Sequence, residues 1–401
     1  MKFHLVGIGG VGMSALATLL AKQGNAVTGA DRNLSSPNIA FLRAMGIECF
    51  PDDGSGVDSS TGEIIVSTAI EDTNAALAKA RELGIPVVHR AAALSKALSL
   101  KKLVAVVGTC GKSTVTAMLG HVLAGCGFDP VCVNGANVPG WTGAVRFGAG
   151  EYAVAEVDES DKSLVAFHPS AAIVTNASAD HYSKEEMDEV FDAFVKDVPG
   201  PVIDGRNKDY GEVPVSMPGR HNAQNAALAL AMAVKLGCDE QAARKALMSF
   251  CGVERRLQRH GERVYDDYAH NPEKLQAMIS TVAAAHKDGG VCVIWRPHGY
   301  APLRKMLAAL GDMFSATLRE KDKLLLLPVY DAGGTTDRSI NSQALRDLLP
   351  DGRCELVADH DAAFRWVAAN KDRFAAFVPC GARDVDLPKL ADRIGLCVSS
   401  C

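Results

Sequence analysis

The chain, 401 residues long, is predicted to be an α/β protein made of three consecutive domains, each organised around a mostly parallel sheet. Three observations predict it. Short apolar runs bounded by glycine alternate with helix-length segments from end to end, the pattern of strands joined by crossover helices. Two of the strands run straight into glycine loops that open helices, "VGIGGVGMSALA" at residues 6–17 and "VVGTCGKSTVTA" at residues 106–117. The length also exceeds what one hydrophobic core usually organises.

Bulk properties narrow the function. A composition of 48% hydrophobic and 22% charged residues is that of a soluble globular chain. A net charge of −5 leaves no basic footprint, so no nucleic-acid partner is expected. The 11 cysteines form no CxxC pair and no zinc spacing, and free thiols fit a reducing cytoplasm, the expected location. Gly7, Gly9, Gly10 and Gly12 interrupt the first apolar stretch, which reads as strand and helix rather than a secretory leader. No run of about 20 uninterrupted apolar residues is present, so no membrane partner is expected either.

Residues 1–99 alternate "FHLVGI", "MSALATLLAKQG", "AVTGAD", "EIIVSTAI" and "IPVVH". The "GIGGVG" of residues 7–12 fits G-x-G-x-x-G directly after the first strand, and Asp31 ends the next, where a ribose-binding acid is expected. The match supports a Rossmann-like nucleotide-binding domain without choosing the nucleotide.

Residues 100–250 begin with the second glycine loop. Gly108 and Gly111 let backbone wrap an anion, and the helix N-terminus attracts phosphate with unpaired N–H groups and its dipole. Lys112 supplies a point charge, Ser113 a hydroxyl suited to Mg²⁺, and Thr109 and Thr114 flank them. Strict Walker A spacing wants glycine at Val106, so the loop is a shortened version; a plain capped glycine turn is the competing reading. Two further strands, in "EYAVAEVDESD" and "AAIVTNASADH", end near Glu156, Asp158 and His181. Ligands of open α/β sheets sit beyond strand carboxyl ends, which places these groups beside the loop, where carboxylates suit Mg²⁺. A solvated acidic loop, and a capping or core histidine, are the alternatives. In "PGRHNAQNAALALAMAVKLG", Asn222 and Asn225 share a helix face, fit either for adenine or for capping.

Residues 251–401 alternate again, with strands "VCVIW", "KLLLLPVY", "CELVA" and "AAFVPCG". Their exits, "RPHGYAP", "DAGGTTDR" and "CGARDVD", are expected to line one sheet edge.

"HLVGIGGVGMSALA", "GTCGKST", "AEVDESD", "NASADH", "PGRHNAQNAA", "GVERRL" and "DDYAHNP", in this order across essentially the whole chain, resemble the Mur ligases, and most of all their alanine-adding branch. These enzymes attach amino acids to the UDP-muramic acid precursor of bacterial peptidoglycan. The resemblance implies a UDP-sugar-binding Rossmann-like domain at 1–99, a central P-loop ATPase domain at 100–250, and a Rossmann-like C-terminal domain at 251–401. It implies an ATP-dependent amide ligase joining an amino acid, L-alanine first, to the carboxylate of UDP-N-acetylmuramate through an acyl phosphate, with domain closure before chemistry. ATP and Mg²⁺ are the implied cofactors, and a monomer or homodimer the implied state.

Carried onto matching positions, the resemblance has Gly7, Gly9, Gly10, Gly12 and Asp31 holding the UDP-sugar. Gly108, Thr109, Gly111, Lys112, Ser113 and Thr114 hold ATP phosphates, with Asn222 on adenine and Asp267 on ribose. Ser113, Glu156 and His181 serve the metal, and Arg256 reaches the γ-phosphate. His298, Arg304 and Arg383 face the incoming amino acid. The chain departs from the branch in several places. Cys110 replaces a histidine, and Gly299 and Pro302 stand where two arginines are usual, leaving Arg296, Arg304 or Arg383 to compensate. The central domain is several tens of residues shorter before "MPGRHN". Lys196, at a spacing where some relatives carry a carbamylated lysine, reads as an ordinary surface residue. Two other functions fit the motifs: a related ligase for another amine or a wall-recycling peptide, and a non-catalytic nucleotide-binding relative.

Overall fold

The computed structural model describes residues 1–158, 163–177, 184–331, 333 and 336–399. By packing the chain divides into two compact units, residues 1–216 with 221–253, and residues 217–220 with 254–401.

The first unit contains two sheets. In the first, β1 (Lys2–Val6), β2 (Ala26–Asp31), β3 (Glu48–Pro51), β4 (Glu63–Val66) and β5 (Val87–His89) lie parallel in the order β3-β2-β1-β4-β5. Helices α1 (Val11–Lys22), α2 (Pro37–Ala44) and α3 (Ala75–Leu83) follow β1, β2 and β4, and α4 (Arg90–Leu98) follows β5, while β3 leads to β4 through a loop. Local chemistry sets these ends. Ser36 accepts the Ile39 N–H and Pro37 opens α2, Asn74 caps α3, and Gly84 closes α3 in the left-handed conformation. Met13 to Leu20 are all buried in α1, more than one helix face can supply. The reason is that α1 touches β1 and β2 as well as β8 (Val145–Arg146) of the next sheet, so it is covered from both sides.

That second sheet has the order β11-β10-β6-β9-β7-β8, parallel except for its β7–β8 edge. Its strands are β6 (Lys102–Val107), β7 (Val131–Val133), β9 (Tyr152–Glu156), β10 (Ala171–Val174) and β11 (Val202–Asp204), besides β8. Helices α5 (Lys112–Gly125), α6 (Lys184–Lys196), α7 (Arg220–Lys235) and α8 (Glu240–Met248) accompany it. Leu16, Leu20 and Leu94 of the first layer share one apolar core with Ala105, Val133, Val145 and Phe191 of the second. Lys196 is exposed in the last turn of α6.

The second unit holds a four-stranded parallel sheet, order β16-β15-β14-β17, built from β14 (Val291–Trp295), β15 (Lys323–Leu326), β16 (Cys354–Leu356) and β17 (Ala376–Cys380). The apolar run of β14 is buried on both faces, as parallel strands are. Val291, Val293 and Trp295 meet α9 (Pro272–Ala285) and α10 (Tyr300–Thr317); Cys292 and Ile294 meet α12 (His360–Asn370) and α13 (Leu387–Ser399), while the short α11 (Ser342–Arg346) precedes β16. A short ribbon of β12 (Gln258–Arg259) and β13 (Tyr265–Asp266) runs beside β17 through bridges Val264–Phe377 and Asp267–Cys380.

Asp266 is fully buried on that ribbon and accepts from Arg255 Nε at 3.2 Å. Arg255 also donates to the Gly381 carbonyl at 2.6 Å and holds a left-handed backbone at φ 57°. Burial pushes the Asp266 carboxyl up to about 6, against the pull of Arg255. A carboxyl whose folded value is raised binds its proton more tightly folded than unfolded, so its contribution to stability declines as pH rises from about 4 to 6. Comparing the parent with Asp266→Asn, the melting temperature of the parent relative to the variant should fall across that window. A pH-independent difference in thermal melts would contradict the assignment.

Candidate active site

The phosphate-loop candidate lies at the carboxyl end of β6. Gly108 and Gly111 take φ of 128° and 84°, conformations that side chains disfavour, and a Cβ on Gly108 would strike the Thr175 hydroxyl. The loop is gripped from β10. Thr109 N–H donates to the Asn176 carbonyl (3.2 Å). The Thr109 hydroxyl and the Cys110 N–H donate to Asn176 Oδ1 at 2.7 and 3.0 Å. The Cys110 carbonyl accepts from the Thr175 hydroxyl and Asn176 Nδ2 at 2.6 and 2.9 Å. Thr175 and Asn176 were not among the residues singled out by sequence; the available signal was two polar groups at the exit of an apolar strand.

With the loop held from below, α5 is opened by Gly111 with no side-chain cap, an arrangement suited to an anion at its first N–H groups. Lys112 Nζ folds back to the Gly108 carbonyl at 2.5 Å. Ser113 and Thr114 are buried in the first turn. From α7, Asn222 and Asn225 are both buried, and Asn225 Oδ1 stands 2.7 Å from the point a Cβ on Gly111 would occupy. Asn225 thus meets the loop from α7, while Asn222 is buried in the first turn of the same helix.

Glu156 pairs in register with Val106, which brings its carboxylate to the same sheet edge. It accepts the Gly135 N–H at 2.8 Å, and the neighbouring Asn134 is buried with its Oδ1 unpartnered among the described residues. A glycine cradle, an uncapped helix start, a lysine and a half-buried carboxylate fit a nucleoside triphosphate with a hard divalent cation. Among the described residues no three His, Cys, Asp or Glu side chains cluster as a metal site, so Glu156 and the Ser113 hydroxyl would serve the cation with groups the nucleotide brings. His181 lies outside the described residues.

A second cradle sits at the carboxyl end of β1. Gly7 has φ 73°, Gly10 caps α1 without a side chain, and Gly9 N–H donates to Asp31 Oδ2 at 2.8 Å. Asp31 Oδ1 accepts the Asn33 N–H at 2.8 Å, so this acid first ties the glycine loop to β2. A Cβ on Gly12 would stand 3.1 Å from the Arg90 guanidinium, a cation at the start of α4 that sequence reasoning passed over. The "VVHR" strand exit carried the signal.

In the second unit the carboxyl ends of the strands again collect the polar groups. Asp267 accepts N–H bonds from Leu257 and Ala269, both at 2.8 Å, and burial raises its carboxyl while Arg256 pulls the other way. Arg255 and Arg256 both lie over the Tyr268 ring, at 5.2 and 5.1 Å. His298 meets His270 edge-on at 5.0 Å. Arg304 is paired with Asp337 at 2.8 Å, and Arg296 with the buried Asp384 at 2.8 Å. Burial alone would raise Asp384, but hydrogen bonds from His360 and Arg296 outweigh it and hold the carboxyl well below the usual range. Arg383 is exposed with φ 66°. Of the arginines expected near an amine substrate, Arg296 and Arg304 thus already hold carboxylates, while Arg304 and Arg383 are both exposed.

Comparison with known proteins identifies relatives of this chain. The model described as "Mur ligase family, catalytic domain" matches residues 2–102, and that described as "Mur ligase, glutamate ligase domain" matches residues 254–382. The UDP-N-acetylmuramate--L-alanine ligase of Arthrobacter sp. (strain FB24) is 35% identical over 92% of this chain and 89% of its own length. That of Paenarthrobacter aurescens (strain TC1) is 33% identical over 98% of this chain and 97% of its own. The latter alignment spans 458 positions, more than the 401 residues available here, so the relative carries residues this chain lacks. In fold, the crystal structure of UDP-N-acetylmuramate-alanine ligase from Thermotoga maritima superposes with a TM-score of 0.83 at 24% identity, covering 100% of this chain and 99% of its own. On these matches and the site geometry, the chain belongs to the Mur ligase family.

Proposed function

We propose that the protein is an ATP-dependent amide ligase that joins L-alanine to the carboxylate of UDP-N-acetylmuramate. The observation that carries this reading is the glycine cradle of Gly108–Ser113 with Glu156 one strand away, in a chain 35% identical to a ligase of that name. Residues 1–99 would bind the UDP-sugar, residues 100–250 ATP, and residues 251–401 the amino acid.

The chemistry follows from charge. A carboxylate is a poor acyl donor because hydroxide or oxide is a poor leaving group. A carboxylate oxygen of the sugar substrate attacks the γ-phosphorus of ATP, the bond to the β-phosphate oxygen breaks, and ADP leaves. The amine then attacks the acyl carbon of the acyl phosphate, and inorganic phosphate departs with the electron pair of the C–O bond. Lys112 and the N–H groups opening α5 stabilise charge on the transferring phosphoryl group. Mg²⁺ when bound supplies further neutralisation of the phosphate oxygens. Glu156 and Ser113 would hold it, with His181 in support, and Asn222 and Asp267 would take adenine and ribose. Arg256 would add charge at the γ-phosphate. In the first cradle Gly7, Gly9, Gly10 and Gly12 would admit a pyrophosphate, with Arg90 supporting it. His298 and Arg383 would meet the amino acid, and the pairing of Arg304 with Asp337 leaves Arg383 the better placed cation.

A second reading, a ligase for another amine such as a wall peptide, is favoured by one feature: Gly299 and Pro302 remove two cations from the "RPHGYAP" exit. Phosphate release from ATP against a panel of UDP-sugars, amino acids and peptides separates the two. Release that requires UDP-N-acetylmuramate and L-alanine together supports the first, and release that requires UDP-N-acetylmuramate with a peptide in place of L-alanine supports the second.

Two expected outcomes test the nucleotide sites. Lys112→Ala should reduce phosphate release by at least a hundredfold with a parent-like circular dichroism spectrum, since electrostatic groups at a phosphoryl centre are worth factors of about 10² or more; turnover within a few fold of the parent would exclude the loop as the ATP site. UDP-N-acetylmuramate should raise the melting temperature, and NAD should do so much less. A Cβ on Gly9 would lie 2.9 Å from Asp31 Oδ2, so Gly9→Val should abolish the UDP-sugar shift, and a retained shift would remove the first cradle from the assignment.

A further inference from the structure

Gly135 stands two residues beyond β7 and faces Glu156 across the sheet edge. The pairing of β7 with β9 runs to Val133 and Ala155, so the chain beyond β7 passes beside the acid. The Asn134 side chain donates from Nδ2 to the Ala136 carbonyl at 3.1 Å, and the Asn134 N–H donates to the Ala144 carbonyl at 2.9 Å, which together shape this turn. Gly135 N–H then reaches Glu156 Oε2 at 2.8 Å. A Cβ at this position would lie 2.5 Å from Oε1 and 2.6 Å from both Cδ and Oε2, closer than any real contact of that kind. Gly135 is not among the glycines with positive φ, so no backbone strain calls for glycine here. The atoms nearest that point all belong to the Glu156 carboxylate, so a side chain here would have to displace the acid.

We infer that Gly135 is a positioning residue for cation binding: its N–H holds Glu156 Oε2, and its missing side chain lets the carboxylate rest against the turn, leaving Oε1 for the cation. The inference rests on the cation role proposed for Glu156. A freely rotating glutamate would lose side-chain entropy on coordination; one already fixed by a backbone N–H does not lose it again. A purely structural hydrogen bond would instead affect folding and nucleotide binding alike, with or without metal.

The test is Mn²⁺ binding, followed by electron paramagnetic resonance of free Mn²⁺, to the full-length protein with a non-hydrolysable ATP analogue. Gly135→Ala should weaken Mn²⁺ binding at least tenfold, while metal-free analogue affinity stays within twofold of the parent. Glu156→Ala should weaken Mn²⁺ binding as well, and adding Gly135→Ala to it should cost nothing more, because both changes act through one carboxylate. Glu156→Asp shortens the acid and makes room for the methyl group, so Gly135→Ala with Glu156→Asp should bind Mn²⁺ more tightly than Gly135→Ala alone. Additive losses, an unchanged Mn²⁺ affinity in Gly135→Ala, or an equal loss of metal-free analogue binding would each overturn the inference. Unchanged Mn²⁺ binding in Glu156→Ala would instead strike the cation role of the acid itself, and the inference with it.

Discussion

The grip of Asn176 and Thr175 on the backbone of Thr109 and Cys110 is the constraint on which the rest of the nucleotide-site candidate depends. A glycine loop that turns its N–H groups toward an anion cannot also satisfy its own carbonyls, and glycine leaves it floppy. Here the carbonyl of Cys110 and the flanking donors are satisfied from the adjacent strand. The backbone that opens α5 is thereby held in a fixed direction, which is what electrostatic preorganisation requires. Asn225 from α7 and the folded-back Lys112 close on the same few backbone atoms.

Most of the candidate site residues described in the structure use one geometric rule, Asn222, Asn225 and Arg304 on their helices being exceptions. Parallel strands deliver their next residues to a common edge, so groups separated widely in the chain become neighbours. Glu156 follows β9, Thr175 and Asn176 follow β10, and Gly135 follows β7, all beside the loop that follows β6. The first sheet repeats the rule with Gly9 and Asp31, and the second unit repeats it with Asp267, His298 and Arg383.

Polar burial is handled differently in the two units. Around the phosphate loop, buried polar groups satisfy backbone and remain neutral. Along β13 and β17 the fully buried Asp266 is met by Arg255, and the buried Asp384 by Arg296 and His360. Buried pairs of this kind contribute little net stability but penalise any other arrangement of the same chain, because separating them strands a charge. They hold the left-handed backbone of Arg255 and bring Arg255 and Arg256 onto the Tyr268 ring.

Sequence alone determined the α/β class, the glycine loops and the strands that carry the candidate groups. These are local properties: apolar runs of strand length, glycine where φ must be positive, and residues placed at strand ends by counting. Glu156, Lys112, Ser113 and the Asn222–Asn225 face were legible for that reason. Tertiary structure decided the partners. That Asn176 rather than a cap holds the loop follows from β10 lying next to β6, although Thr109 and Asn176 are 67 residues apart in sequence. That Arg304 answers Asp337, that Arg90 stands over Gly12, and that α1 is buried all round by a second sheet are likewise consequences of which elements become neighbours. Gly135 shows the distinction most sharply. Its φ is not positive, and the atoms nearest the point a Cβ would occupy are those of a carboxylate from another strand, a distance that exists only once the sheet has formed.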